Sequence, residues 1–179
     1  MLILFEGLDK SGKSTLIKNF QDISKLPVFK NDIKPTPAAF DRGMVNGIYY
    51  GAYKAADLSL GDTIFDRSHI TELTYANVKR GYWPEEGFWL DWEEKNQHKV
   101  FTVYVDTPTE LLIERFEKDK EEYVKVEEIE AIKKAYEEYF KKSKLSLVYV
   151  DGSLDRQRML TYVVIQLQNL GVWSTMRHR

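Results

Sequence analysis

Hydrophobic positions along the chain alternate between two kinds of pattern. Residues 2–6 are an apolar run of the length that suits a buried strand. Residues 14–24 then carry Leu16, Ile17 and Phe20 on one helical face. A short second strand is expected over 27–29, a third over 63–66 ending in Asp66-Arg67, a fourth over 100–106 and a fifth over 145–150. The fourth, VFTVYVD, is the clearest, being β-branched and aromatic between polar flanks. Helical patterns fill the gaps: 38–60 as one helix or two, with boundaries blurred by Gly43, Gly47 and Gly51, then 70–79 and 88–96. A further helix starts at Pro108, with Leu111, Leu112 and Phe116 on one face, and others span 127–142 and 154–170. Residues 31–37 read as a polar, proline-bearing loop, and Pro84 marks a turn.

Strands separated by helices predict an α/β fold: a five-stranded parallel sheet with helices on both faces and right-handed crossovers. No repeat, low-complexity tract or linker interrupts the pattern, so one domain over 1–179 is expected. Ligands in such folds bind beyond the carboxyl ends of the strands. Glu6, Asp66, Asp106 and Asp151 all stand at such ends.

Composition narrows the classes. A hydrophobic share of 43% and a charged share of 30% are those of an ordinary soluble globular chain. A net charge of −2 gives no global basic field for nucleic acid, though a local basic pocket stays open. The absence of cysteine excludes a disulfide framework and a thiolate metal site, and it fits a reducing cytoplasm. No apolar run approaches the ~20 residues that span a bilayer. The opening MLILFE is too short for a signal peptide and has no basic leader, so a cytoplasmic protein without membrane contact is expected.

The chemistry begins at residues 5–15, FEGLDKSGKST. Gly7 to Ser14 satisfies G-x-x-x-x-G-K-[ST], with a strand before it and a helix after it. The glycines let successive backbone N–H groups face inward, where they and the helix N-terminus stabilise phosphate oxygens. Gly7, Leu8, Asp9, Lys10, Ser11, Gly12, Lys13, Ser14, Thr15 and, from further along the chain, Arg115 are the expected nucleotide contacts. Lys13 is expected to reach the β- and γ-phosphates of ATP, and Ser14 to ligate Mg²⁺. An acid on such a loop is costly unless it contacts something else, such as a sugar hydroxyl, and Lys10 suits a transferring phosphoryl group.

This segment resembles the phosphate loop of thymidylate kinases, in the eukaryotic and viral type where an acid is followed by a basic residue. The resemblance implies a P-loop NTPase fold and a nucleotide kinase. It implies that Asp9 contacts the substrate 3′-hydroxyl and that Lys10 replaces an arginine carried in the lid of bacterial relatives. Glu6 matches a glutamate of the related deoxynucleoside kinases, where it is the base for the 5′-hydroxyl, so both readings stay open. Residues 65–81, FDRSHITELTYANVKRG, extend the likeness. Asp66-Arg67 follows a strand, and the spacing to Thr71 and Tyr75 resembles the Asp-Arg-Tyr-x-x-Ser-x-x-x-Tyr segment of that family. Ser68 replaces the usual tyrosine and echoes the Glu-Arg-Ser motif of deoxynucleoside kinases.

Asp66 is the candidate acid for the hydrated Mg²⁺, and Arg67 offers a planar fork for an acceptor phosphate. The alternatives are a salt bridge from Arg67 to Asp66 or another acid, core packing for Tyr75, and a simple helix-start role for Thr71. Glu72 and Arg80 face either the pocket or, as the preferred reading, solvent. His69 reads as a surface histidine, or as one lining the site. Residues 115–125, RFEKDKEEYVK, lie where a lid would be, with Arg115, Lys118 and Lys120 as its basic residues. The alternative is a solvated charged helix face. The loop Asp151-Gly152-Ser153 is placed by resemblance against the donor adenine. The acceptor base is the least legible part, because the family's Phe-Pro-x-Arg-like and Asn-Arg-Trp-like segments are absent. Lys34, Arg42 and the aromatic set Tyr49, Tyr50 and Tyr53 stand in their place, the tyrosines stacking on a base or packing the core.

The expected activity is transfer of the ATP γ-phosphoryl group to a deoxynucleoside monophosphate, with a pyrimidine such as dTMP as the expected acceptor. Lys13, Lys10, Arg67, Asp66 and Glu6 are the candidate catalytic residues; Asp9, Arg42, Tyr53, Arg67, Thr71 and Tyr75 the candidate acceptor contacts. A deoxynucleoside kinase using Glu6 as base, a kinase acting on a polynucleotide or modified base in DNA, and a non-catalytic nucleotide-binding module stay as alternatives. A homodimer is implied by the resemblance.

Overall fold

In the computed structural model, residues 1–31, 44–118 and 123–172 are described. Five strands, β1 (Leu2–Glu6), β2 (Val28–Lys30), β3 (Thr63–Asp66), β4 (Val100–Asp106) and β5 (Ser146–Asp151), form one parallel sheet in the order β2-β3-β1-β4-β5. β1 is central. Its partner on one side is β3, with Leu4 beside Phe65, and on the other β4, with Leu4 beside Thr102. The chain therefore reverses its direction of winding at β1, and the crevice that results lies beyond the ends of β1, β3 and β4.

Alternation along each strand divides the core in two. Ile3, Phe5, Ile64, Val103 and Val105 pack with helices α1 (Lys13–Ser24) and α7 (Arg156–Asn169) through Leu16, Phe20, Met159 and Val163. Leu2, Leu4, Phe65 and Tyr104 face the other way. They meet α2 (Met44–Ala55), α3 (His69–Arg80), α4 (Glu86–Asn96), α5 (Thr109–Lys118) and α6 (Ile129–Phe140) through residues such as Tyr53, Leu73, Trp89, Leu112 and Tyr136. A central strand buried on both faces must be apolar throughout, and β1 is fully buried even at its last residue, Glu6.

The expected strands and helices are all present, with shifts of a few residues at their ends. The 38–60 pattern resolves, within the described residues, into α2 and a π-helical turn over Ala56–Leu60, and Gly47 and Gly51 lie inside α2. The helix expected from 127 begins with a 3₁₀ turn, Val126–Glu128. Among the described residues no helix is long and apolar enough to cross a membrane.

Candidate active site

The phosphate loop joins the end of β1 to α1, and its shape follows from three left-handed residues. Gly7 has φ 143° and Gly12 φ 94°, while Lys10 adopts φ 63° without being glycine. At Gly7 there is also no room for a side chain: a Cβ would stand 2.8 Å from the Val105 carbonyl oxygen. Thr107 Oγ1 donates to the Ser11 carbonyl at 3.0 Å, and Arg115 Nη1 donates to the Lys10 carbonyl at 2.8 Å. The loop is thus clamped from behind by the segment after β4 and by α5. Gly152 closes the same contact, since a Cβ there would fall 1.9 Å from Thr107 Oγ1 and 3.0 Å from the Ser11 carbonyl. In front of the loop lies a cleft of about 1000 Å³, walled on the far side by Arg115 and the start of α7, from Leu154 to Met159.

Four consecutive side chains after β3 are each tied to a different partner. Asp66 forms an ion pair with Lys13, and Arg67 forms one with Asp9 on the loop. The Ser68 hydroxyl donates to Glu6, and His69 turns into the core. Arg67 has φ 73°, a strained value for a residue with a side chain, and its N–H donates to the Phe5 carbonyl at 3.0 Å. Its guanidinium also stands 5.5 Å from the centre of the Tyr75 ring, and the Tyr75 hydroxyl donates to Asp9 at 3.5 Å. Burial works against the Arg67 charge, but the Tyr75 and Asp9 oxygens outweigh it and push its pKa up. Burial, followed by repulsion from Arg67, pushes the Lys13 ammonium down from the ordinary lysine value, while Asp66 opposes the change. Burial also drives the Tyr75 hydroxyl up, to about 12. The arrangement gathers a buried cation, Lys13, a half-buried one, Arg67, and the loop acid around the phosphate loop.

No family model and no curated protein matches the sequence. Solved structures do. The YorR protein of Bacillus subtilis, in complex with phosphorylated GDP, superposes with a TM-score of 0.71 at 23% identity, over 96% of this chain and 97% of that one. Deoxyadenosine kinase from M. mycoides, with products dCMP and a flexible dCDP, gives 0.67 at 19% identity, over 94% and 100%. Thymidylate kinase from Candida albicans gives 0.65 at 17% identity, over 96% and 92%. The chain has the fold of the thymidylate and deoxynucleoside kinases.

Within this P-loop kinase fold, the expected donor contacts Leu8, Asp9, Lys10, Ser11, Gly12, Lys13, Ser14, Thr15 and Arg115 line the cleft, while Gly7 sits behind it against Val105. Asp9, Arg67 and Tyr75 are brought together; of the alternatives for Arg67 the structure has an ion pair with an acid other than Asp66, namely Asp9, while Asp66 pairs with Lys13. Three expectations fail on packing. Glu6 is 0% exposed, and its carboxylate accepts from Ser68, from Thr71 and, at 3.1 Å, from the Tyr136 hydroxyl, so it is an internal anchor with no face toward an acceptor hydroxyl. Thr71 is spent on that anchor. Tyr53 is core: its ring lies against Trp92 at 4.7 Å, and its hydroxyl meets His69 Nδ1 at 2.8 Å. His69 is accordingly a buried histidine, not a surface one.

Glu72 and Arg80 are paired at 2.5 Å and largely shielded, against the expectation that they face solvent. Arg115 belongs to α5 and grips the loop backbone; Lys120, Lys34 and Arg42 lie outside the described residues. Sequence reasoning gave Tyr123 no role. It is 45% exposed, its ring stacks on Tyr75 at 6.1 Å and 9°, and its carbonyl accepts from Lys79 at 2.7 Å. A lone tyrosine in an otherwise charged stretch was its one signal. Thr107 and Met159 carried none, because their contacts with the loop are set by the register of β4 and β5.

The loop fits a magnesium–nucleotide. The Ser11 Oγ is buried in it without a hydrogen-bond partner, and the positive φ values at Gly7, Lys10 and Gly12 curl its backbone. Ser14 is exposed in the first turn of α1, and its neighbour Lys13 is paired with Asp66. Among the described residues there is no group of three or more His, Asp or Glu side chains placed to hold a metal. Mg²⁺ needs none where phosphates and waters fill most of its six positions.

Proposed function

We propose that the protein, as a single kinase domain, transfers the γ-phosphoryl group of ATP to a deoxynucleoside monophosphate, with a pyrimidine such as dTMP the first candidate. The observation that carries this reading is the Arg67–Asp9 pair held against the phosphate loop beside Lys13. A guanidinium there suits the phosphate of a monophosphate acceptor, and the loop carboxylate suits a sugar hydroxyl. The acceptor oxygen is already anionic, so no strong base is required, in keeping with a Glu6 carboxylate fully engaged inside the protein.

An acceptor phosphate oxygen forms a bond to the γ-phosphorus, and the bond to the β–γ bridging oxygen breaks, leaving ADP. Lys13 and the loop N–H groups hold the β- and γ-phosphates. Lys10 neutralises charge on the group in flight, and Arg67 fixes the acceptor in line. Ser14, with Asp66 behind it, would hold Mg²⁺, which when bound neutralises the β- and γ-phosphate oxygens. Asp66 is freed for that role when Lys13 turns from it to the phosphates. Arg115 keeps the loop in shape through the Lys10 carbonyl. The likeness to thymidylate kinase and deoxyadenosine kinase folds supports the substrate class.

The test is γ-labelled ATP and Mg²⁺ offered with each nucleoside, each monophosphate and a DNA oligonucleotide separately. A diphosphate product from dTMP is expected. Phosphorylation of thymidine with dTMP untouched would replace the reading by a nucleoside kinase. Label appearing only in an oligonucleotide would replace it by a polynucleotide kinase, and ADP with free phosphate alone by a nucleotide-binding module.

A further inference from the structure

The residue that directs Arg67 lies outside the cleft. His69 is 0% exposed, and its ring stacks on Trp89 at 4.3 Å and 18°. The Tyr53 oxygen accepts from the His69 backbone N–H at 3.3 Å and lies 2.8 Å from Nδ1. A carboxylate only accepts, so the His69 Nε2–H donates to Glu93 Oε1 at 3.0 Å. In the neutral ring Nδ1 then accepts the Tyr53 proton. Glu93 also accepts from the Tyr139 hydroxyl at 2.9 Å, the Ser143 hydroxyl at 2.7 Å and the Lys144 N–H at 2.9 Å. Burial alone would push the Glu93 carboxyl up, and these donors, His69 foremost, hold it below the usual value. One ring thus joins α2, α4, α6 and the approach to β5 to the turn that carries Arg67.

That turn needs fixing. A non-glycine residue at φ 73° is strained and persists where its surroundings over-determine it. Upstream, β3 and the bond to the Phe5 carbonyl hold it. Downstream, the restraint is Ser68 on Glu6 and then His69 in its aromatic box.

We propose that Tyr53, His69 and Glu93 form a positioning array that keeps Arg67 in its left-handed conformation with its guanidinium on the acceptor side of the cleft. None of the three touches substrate. The inference rests on Arg67 serving the acceptor, as proposed above, and gives Tyr53 a role behind the site in place of one in it.

Tyr53→Phe keeps the ring and removes the bond to Nδ1; His69→Gln keeps a donor for Glu93. Two readouts decide. In the protein without substrate, the Arg67 side-chain Nε–H resonance, assigned by its loss in Arg67→Lys, is expected to be sharp in the wild type. It is expected to shift or broaden in Tyr53→Phe and to recover partly in His69→Gln relative to His69→Ala. In kinetics, Tyr53→Phe is expected to raise the acceptor KM about tenfold with the ATP KM unchanged, the loss of roughly one buried hydrogen bond. A lowered melting temperature with an unmoved Arg67 resonance and an unmoved acceptor KM overturns the array. Donor and acceptor KM rising together overturn it too. If the wild type uses no acceptor, the function falls, and the resonance still decides the array.

Discussion

The two halves of the proposed site are built in opposite ways. The donor half is written in nine consecutive residues, 7–15, whose glycines, lysine and hydroxyls act where the chain places them. Its backbone is held by long-range contacts, but its chemistry is local and its cleft is open. The acceptor half draws Asp9 from the loop, Arg67 and Tyr75 from β3 and α3, and Tyr123 from beyond α5. Its cation is half-buried, paired with Asp9 and set against the Tyr75 ring before any substrate arrives. A phosphate chain is common to many partners and can be met by a general cradle. An acceptor must be told from its relatives, which takes side chains fixed in space from several directions.

The comparison breaks first at Lys13. Lys13→Ala is expected to cut kcat by about 10³-fold, a loss typical of removing a major charge stabiliser, with the acceptor's own affinity little changed. Equal losses on both substrates would show that the halves are not separable. Next, Arg67→Ala is expected to raise the acceptor KM by roughly 10²-fold while the ATP KM stays within a factor of about two. Isothermal titration with each substrate alone checks the split.

Glu6→Gln separates an anchor from a base. The anchor role predicts a stability loss of about 1–3 kcal/mol in urea denaturation, because three hydroxyls lose a carboxylate acceptor. A catalytic base would instead lose turnover at unchanged stability.

The smallest effect is at Glu72. Burial pushes its carboxyl up to about 6, with Arg80 opposing. The folded protein then binds more protons than the unfolded chain between the ordinary glutamate value and about 6. Stability from this group is highest at the acid end of that window and falls as pH rises through it, by up to about 2 kcal/mol. Denaturation midpoints of wild type and Glu72→Gln, compared between pH 4 and 7, should therefore diverge as the pH rises, the wild type losing ground. Parallel curves would place Glu72 in solvent.

The element order and the donor loop were readable because both rest on short-range spacing. Apolar runs of strand length, helical faces such as Leu16, Ile17 and Phe20, and the Gly7–Ser14 pattern each lie inside one window. The same spacing left Tyr53 open between stacking on a base and packing the core, and it misplaced Thr71, Glu6 and His69. For such polar or aromatic residues, sequence spacing serves a ligand contact and a core contact equally well. Thr71 and Tyr75 illustrate the limit. They lie four residues apart on α3, yet one is committed to Glu6 and Tyr136, and the other faces Asp9 and Arg67.

By itself the sequence determined the alternation of strands and helices, the parallel sheet and the phosphate loop, since backbone geometry and apolar periodicity act over a few residues. Only the tertiary structure decided which acid meets which cation, why Arg67 sits at a positive φ, and that His69 is enclosed by Tyr53, Trp89 and Glu93. Those outcomes depend on side chains from distant segments competing for the same buried space and the same few hydrogen-bond partners. That competition is settled only when the strands have taken the order β2-β3-β1-β4-β5.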